Sequence, residues 1–455
     1  MDELEEDLRR ALQDPRRALA AVGDPVPAVL HGVRRRRRAR LLVAASFVAV
    51  AAVALGAVGL SPARNSDRNS GPVAVDPSTS AGPSASAGPS QQPSASPSSA
   101  PSTTFAPVRP VPVGFTAADL SFVSADRGWS LGTAPCSTAP CTSLLRTSDG
   151  GRHWSGGPAP VAPLLGEKSC TDERQCVRSV RFADTRHGYA FGGALLTTDD
   201  GGETWTRQPG PYVDALEPSG GNVLRVVHST DGCPPGCTYS VQMASVGSSR
   251  WATLTTPPLG GNGALLLRHG TAIYLLLFKN PAGGAGDAHP QVVVSRDGGA
   301  TWTEQQDPCG PSAPNSLDER DATYAATAPD GSLAVLCTQR GAGAKRSVVV
   351  STDQGRTFGA SRELPAADRV LAVAASSASR LVVSAVRGST FELLLSEDGG
   401  ATWRAVASAP GGLAGRGVFL GFTTTRNGTA TQPDGTRVWR TTDAGVTWSA
   451  YGWGS

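Results

Sequence analysis

Six aspartates are the residues of this chain best placed, by type and repetition, to do chemistry: Asp149, Asp200, Asp297, Asp353, Asp398 and Asp443. A carboxylate can act as a general acid or base, or hold a hard metal ion. Each of these, however, stands in one fixed setting, Ser/Thr-x-Asp-x-Gly-x-x-aromatic. It runs from Thr147 to Trp154, Thr198 to Trp205, Ser295 to Trp302, Ser351 to Phe358, Ser396 to Trp403 and Thr441 to Trp448. In that setting the aspartate accepts backbone N–H groups of its own turn, the glycines supply positive φ, and the aromatic opens the returning strand with a large apolar surface. The aspartates therefore read as turn-closing groups. Neither a catalytic residue nor a metal ligand is expected among them.

The eight cysteines form the second candidate set, spaced as Cys136/Cys141, Cys170/Cys176, Cys233/Cys237 and Cys309/Cys337. A thiolate metal site favours Cys-x2-Cys pairs or clustered histidines. No such pair occurs and the six histidines are scattered, so disulfides are expected and no zinc. Eight cysteines permit about 105 pairings in principle, but the three close pairs leave Cys309 and Cys337 as natural partners.

The elements that must position these residues follow from what lies between the turns. Apolar runs such as Phe391-Glu392-Leu393-Leu394-Leu395 and Gln291-Val292-Val293-Val294 precede them, as strands require. Successive motifs start 51, 97, 56, 45 and 45 residues apart, at 147, 198, 295, 351, 396 and 441. The long step holds a worn copy, with Ala244 at its start, Val246 in place of the aspartate and Trp251 as the aromatic. Seven units of four strands result. A period in this range reads as an all-β, seven-bladed β-propeller of four-stranded antiparallel blades, whose closure removes exposed edges. In the second unit the strands are expected near 178–183, 188–192, 194–199 and 204–208. Residues 105–116 are candidates for an extra outer strand.

The repeat resembles the Asp-box, or BNR, motif of sialidases, sortilin-type receptors, xyloglucan hydrolases and photosystem II assembly-factor propellers, over roughly residues 110–455. The resemblance implies the propeller fold; the motif itself sits on propellers with unrelated tasks. Its structural positions here are Asp149 with Trp154, Asp200 with Trp205, Asp297 with Trp302, Asp353 with Phe358, Asp398 with Trp403 and Asp443 with Trp448.

A sialidase would need an arginine cluster for a carboxylate, a tyrosine nucleophile activated by Glu, and an aspartate acid. The family's Arg-Ile-Pro motif is missing, with Val108-Arg109-Pro110-Val111-Pro112 only a faint echo, and Tyr189 and Tyr274 both lie in core-like runs. No Gly-x-Ser-x-Gly, Walker A or His-Glu-x-x-His pattern occurs. The acid-rich stretch Asp318-Glu319-Arg320-Asp321 is charged as strand-flanking loops commonly are. No catalytic residue and no cofactor are expected.

The first hundred residues are organised differently. Leu4, Leu8 and Leu12 recur at helical spacing within a short segment, 1–40, that carries ten arginines against seven acids, a net of +3 equal to that of the whole chain. With the remainder balanced, no field favours nucleic acid as a partner. Arg34 to Arg38 and Arg40 precede twenty uncharged residues, 41–60. That length can cross a bilayer, and the arginines would hold the N-terminal side in the cytoplasm. Residues 61–104 are Ser, Pro, Ala and Gly and read as a disordered stalk. The propeller, 105–455, would then stand outside the cell membrane on a single-pass anchor. Four-stranded blades put all the aspartate turns on one face and all eight cysteines on the other, where long loops such as Gly156–Cys176, Pro281–His289 and Gln305–Arg320 would be floppy unless stapled. The expected function is a non-catalytic binding or assembly scaffold with an unknown protein or glycan ligand on that loop face. A sialidase-like glycoside hydrolase is the first alternative and a transmembrane sensor the second.

Overall fold

The computed structural model describes residues 109–137, 141–229, 237–278, 290–310, 325–338, 345–410 and 418–454. Every described residue belongs to one compact unit, Ser99–Ser455. The N-terminal helix of 1–40, the membrane helix of 41–60 and the stalk of 61–104 fall outside the described residues. Among the described residues no helix is long and apolar enough to cross a membrane.

The first sheet is β1 (Thr116–Phe122), β2 (Gly128–Ala134), β3 (Cys141–Thr147) and β4 (Ser155–Gly157). Then come β5 (Ser179–Phe182), β6 (Gly188–Phe191), β7 (Gly193–Thr198), β8 (Thr206–Ser219), β9 (Asn222–His228), β10 (Cys237–Ser245), β11 (Ala252–Thr253) and β12 (Leu259–Gly261). Four-stranded sheets follow from β13 (Ala264–His269), β14 (Ala272–Leu277), β15 (Gln291–Ser295) and β16 (Thr303–Gln305), and from β17 (Ala325–Thr327), β18 (Leu333–Thr338), β19 (Arg346–Ser351) and β20 (Arg362–Glu363). The last two are β21 (Arg369–Ala375), β22 (Leu381–Arg387), β23 (Thr390–Ser396) and β24 (Arg404–Pro410), then β25 (Leu420–Phe422), β26 (Gly428–Thr431), β27 (Arg437–Thr441) and β28 (Ser449–Gly452).

The fold is an all-β propeller of four-stranded antiparallel blades, with the strands of each blade in sequence order. Seven separate four-stranded blades do not form. The described residues make five, and the segments expected to be the second and third units share one eight-stranded sheet, β5 to β12. The cause is β8. Its first residues pair with β7 (Thr197↔Thr206) and its later ones with β9 (Ser219↔Asn222), so one 14-residue strand belongs to both halves.

Middle strands are buried on both sides. Every residue of β14 and β15 is buried, and their sequences are accordingly near-continuous apolar runs, whereas the outer strands β16 and β20 are mostly exposed. The core lies between adjacent sheets. Trp129, Leu131 and Leu144 of the first blade meet Val180, Phe182 and Leu196 of the next, with the Trp129 and Phe182 rings stacked at 3.7 Å.

The first and last blades meet through Phe115, Ala117 and Trp154 on one side and Val438 and Trp453 on the other. Ala117 N–H donates to the Gly435 carbonyl at 2.9 Å. Of the candidate outer strand at 105–116, residues 105–108 lie outside the described residues, and among the described ones Arg109 makes an antiparallel bridge to Gly156 on β4.

Candidate functional site

Each aspartate turn is closed by a small network. In the turn of Asp398, Ser396 Oγ donates to Asp398 Oδ1 (2.8 Å), Gly400 N–H donates to Ser396 Oγ (2.7 Å), and Thr402 N–H and Oγ1 donate to the carboxylate (2.9 and 2.6 Å). The Ser/Thr-to-aspartate bond recurs at Asp149, Asp200, Asp297, Asp353 and Asp443 at 2.7–2.9 Å. The indoles of Trp154, Trp302, Trp403 and Trp448 donate to a glycine carbonyl of their own turn, and that of Trp205 to Pro158 of the neighbouring blade. Phe358 has no N–H to give and packs on the apolar cluster of β14 and β18. Where the first glycine is missing, Gln354 and Ala444 take the left-handed conformation themselves, at φ 61° and 63°. In the worn copy the Tyr189 hydroxyl accepts Gly247 N–H at 3.2 Å, and the Arg225 guanidinium lies 4.0 Å from the Trp251 ring centre.

Turns are tied to the first hairpin of the same blade, as Gly150 N–H to Asp126 O and Gly399 N–H to Ser379 O show. All six therefore lie at one set of strand ends. The described cysteines lie at the other. Cys136–Cys141 staples the link from β2 to β3, Cys170–Cys176 the crossing from β4 to β5, and Cys309–Cys337 joins the segment after β16 to β18. Cys237, at the start of β10, is also disulfide-bonded; Cys233 lies outside the described residues.

This stapled end holds a buried titratable pair that the sequence gives no hint of. Asp214 is the extra residue of a β-bulge, between Val213↔Val227 and Ala215↔Val226, and a bulge re-aims a side chain. Its Oδ2 comes 3.1 Å from Nε2 of His228, at the end of β9, without the alignment of a hydrogen bond. The His228 ring stacks on Tyr212 and meets Tyr239 edge-on, with centroids 4.6 and 5.5 Å away.

His228 Nδ1 faces the Ser229 carbonyl at 2.8 Å, and a carbonyl only accepts, so Nδ1 carries hydrogen. A neutral imidazole would then leave the Nε2 lone pair close to the Asp214 carboxylate. One further proton between the two relieves that clash. Burial first, offset by His228 and Arg178, moves the Asp214 carboxyl up to about 6, and burial pushes the Tyr212 hydroxyl up to about 12. Acid, base and phenols thus stand together as a hydrolase would want them, but the side chains of His228 and Asp214 are only 9 % and 12 % exposed.

A second ionic group spans three first strands. Arg181 on β5 donates to Asp119 on β1 (2.7 Å) and to Glu217 on β8 (2.9 Å). Burial works against the Arg181 charge, yet Asp119 and Glu217 hold its pKa above the ordinary value.

Tyr189 and Tyr274 are buried in the core, Arg109 is 4.0 Å from Glu203, and Asp318–Asp321 lie outside the described residues. No three described His, Cys, Asp or Glu residues gather as metal ligands.

No family model and no curated protein matches the sequence. Solved structures with similar folds include YCF48 bound to a D1 peptide (17% identity, 75% of this chain and 98% of that one, TM-score 0.47). An ancestral GH74 enzyme (13%, 76% and 48%, 0.44) and a Hadza microbial sialidase (13%, 58% and 66%, 0.36) are similar too. At such identities a likeness concerns the fold alone and carries no activity across.

Proposed function

We propose that this chain is a membrane-anchored, extracytoplasmic Asp-box propeller that acts as a non-catalytic binding scaffold, taking a protein or glycan ligand on its cystine-bearing face. One observation carries the reading: every described cysteine lies at one set of strand ends and every aspartate turn at the other. Cross-linked loops lose less conformational freedom on binding, so a stapled surface is pre-organised for recognition. The Asp214–His228 pair beneath that surface is shut away from solvent, which favours support over turnover. Anchoring rests on the uncharged stretch 41–60 behind six arginines.

The test uses the full-length chain in its own membrane, with a photo-crosslinking residue at Lys168 in the stapled crossing or at Thr425 on the turn face. Lys168 should give a discrete adduct that reduction with dithiothreitol before irradiation abolishes. Adducts from Thr425 alone would sink the assignment of the face, and hydrolysis of fluorogenic sialosides by the pure protein would sink the non-catalytic reading.

A further inference from the structure

On the turn face, away from the stapled end, a cleft of about 420 Å³ opens between the β21–β24 blade and the β25–β28 blade. Its lining mixes guanidinium, hydroxyl and carboxylate groups. Arg380, Ser376 and Ser377 come from the first hairpin of one blade, Thr425 and Arg426 from the first hairpin of the next, and Asp443 from the aspartate turn of that second blade.

Three features separate this cleft from ordinary surface. Ser376 is 1 % exposed and its Oγ, itself shut away from solvent, has no hydrogen-bond partner among the described residues; a buried hydroxyl left unmatched is costly, and turning to another rotamer would bring it to a ligand atom in the cleft. Arg426 is exposed and, among the described residues, its guanidinium bonds only through Nε, to the Thr442 carbonyl at 3.3 Å, which leaves its terminal nitrogens directed to no described carboxylate. Arg380 bonds Glu397 at 3.1 Å, but Arg404 holds the other oxygen of the same carboxylate at 3.2 Å. Glu397 is thus shared by two cations, and a positive charge remains over.

Asp443 narrows the chemistry. Its carboxyl is held below the ordinary value, burial being outweighed by the Thr447 hydroxyl and N–H and the Thr441 hydroxyl, so the wall carries a fixed negative charge beside the arginines. A compact dianion such as sulfate meets repulsion there. A ligand bearing one carboxylate and several hydroxyls meets less, having a single charge that it can hold away from Asp443: the carboxylate pairs with guanidinium, while its hydroxyls donate to Asp443 and exchange bonds with Ser376, Ser377 and Thr425.

We propose that this cleft is a binding site for a small hydroxylated carboxylate of the acidic-monosaccharide class. Glucuronate is the probe, with glucose and inorganic sulfate as comparisons, titrated calorimetrically into the full-length chain. Glucuronate binds, and glucose and sulfate bind at least tenfold more weakly. Arg426→Ala, an exposed change, weakens glucuronate by about tenfold or more, the worth of a charge-assisted hydrogen bond, with an unchanged Tm. Ser376→Val weakens it as well; if that variant does not fold, Arg426→Ala decides alone. Silence with glucuronate, equal binding of glucose or sulfate, or an Arg426→Ala protein that binds as tightly as the parent overturns the proposal.

Discussion

The carboxylates of this protein titrate in opposite directions, and the sign of each follows from its partners. Asp398 and Asp297 are held down at about 2, first by the hydroxyls of Thr402 and Thr301, then by the N–H groups of the same residues and the hydroxyls of Ser396 and Ser295. A depressed carboxyl contributes stability above its unfolded pKa, near 3.8, and loses it as pH falls through the folded value. Six turns share this design, so Tm should hold from pH 7 to about 4 and then drop steeply towards pH 2. An Asp398→Asn variant should show a shallower drop, because one of the titrating groups is gone. A parent melting profile that stays flat to pH 2 would contradict the turn assignment. Asp214 has the other sign. Its folded pKa of about 6 exceeds the ordinary 3.8, so the ionised form burdens the folded state, and the burden fades as pH falls from about 6 to 4. Asp214→Asn puts an N–H opposite Nε2 of His228 and should raise stability at pH 8, by at most about 3 kcal/mol at 1.36 kcal/mol per pKa unit, with the gain vanishing by pH 4. Urea unfolding at the two pH values checks this, and a loss at pH 8 would show that the pair is needed charged. The aspartate turns were legible because their closing groups lie within eight residues of sequence. The Asp214–His228 pair was not, since nothing local marks Asp214 as a bulge or brings it to a histidine one strand away.

At the scale of strands, the merging of the second and third repeat units shows what spacing alone cannot resolve. The fourth strand of the second unit is expected to end near 208, and Pro209 and Pro211 follow it; proline cannot donate to a ladder. Yet Pro209 and Pro211 are exposed and lie in the irregular stretch where the pairing to β7 jumps from Gln208 to Val213, beside the start of the β9 pairing at Tyr212. At those positions the missing N–H costs nothing, and β8 runs through. The strands of the second unit otherwise follow the expected order closely, β5 to β7 at 179–182, 188–191 and 193–198, because glycines and turn residues bound each one. What binds one first strand to the next was hidden, since Asp119, Arg181 and Glu217 are spread over about a hundred residues. Burial pushes the Glu217 carboxyl up despite Arg181, so the two acids depend on the one guanidinium between them. Arg181→Met removes the shared cation and leaves two carboxylates facing each other. The expected loss is about 3–5 kcal/mol, the scale found when one partner of a buried ion pair is deleted. Adding Asp119→Asn and Glu217→Gln to that variant should recover part of it. Urea unfolding of the single and triple variants measures both numbers, and a single variant as stable as the parent would mean that the group is solvated.

For the molecule as a whole, the question is what keeps the first and last blades together. Residues 116–157 build the first blade and residues 420–452 the last, so among the described residues no strand is exchanged across the seam, and side chains hold it together with the backbone bond from Ala117 to Gly435. Trp453 is the centre of that contact. It is 5 % exposed, stands edge-on to Phe115 at 5.2 Å and to Trp154 at 5.1 Å, and donates its indole N–H to the Gly435 carbonyl at 2.7 Å. That carbonyl also accepts Ala117 N–H, and Arg440 donates to the Asp149 carbonyl at 3.1 Å from the other side of the seam. Trp453→Ala removes two aromatic contacts and one bond from a site where neighbouring side chains cannot close in without moving a whole blade. It should cost about 3–5 kcal/mol, as large-to-small core changes do. The loss should also be local. In hydrogen exchange, amides of β1, β27 and β28 should lose protection in the variant while those of β14 and β15, buried inside a blade remote in sequence from the seam, keep theirs. A uniform loss across all strands would mean that the ring unfolds as one cooperative body with no preferred opening. Unchanged protection at β1 and β28 would mean that the hydrogen bonds of Ala117 and Arg440 close the ring without the indole.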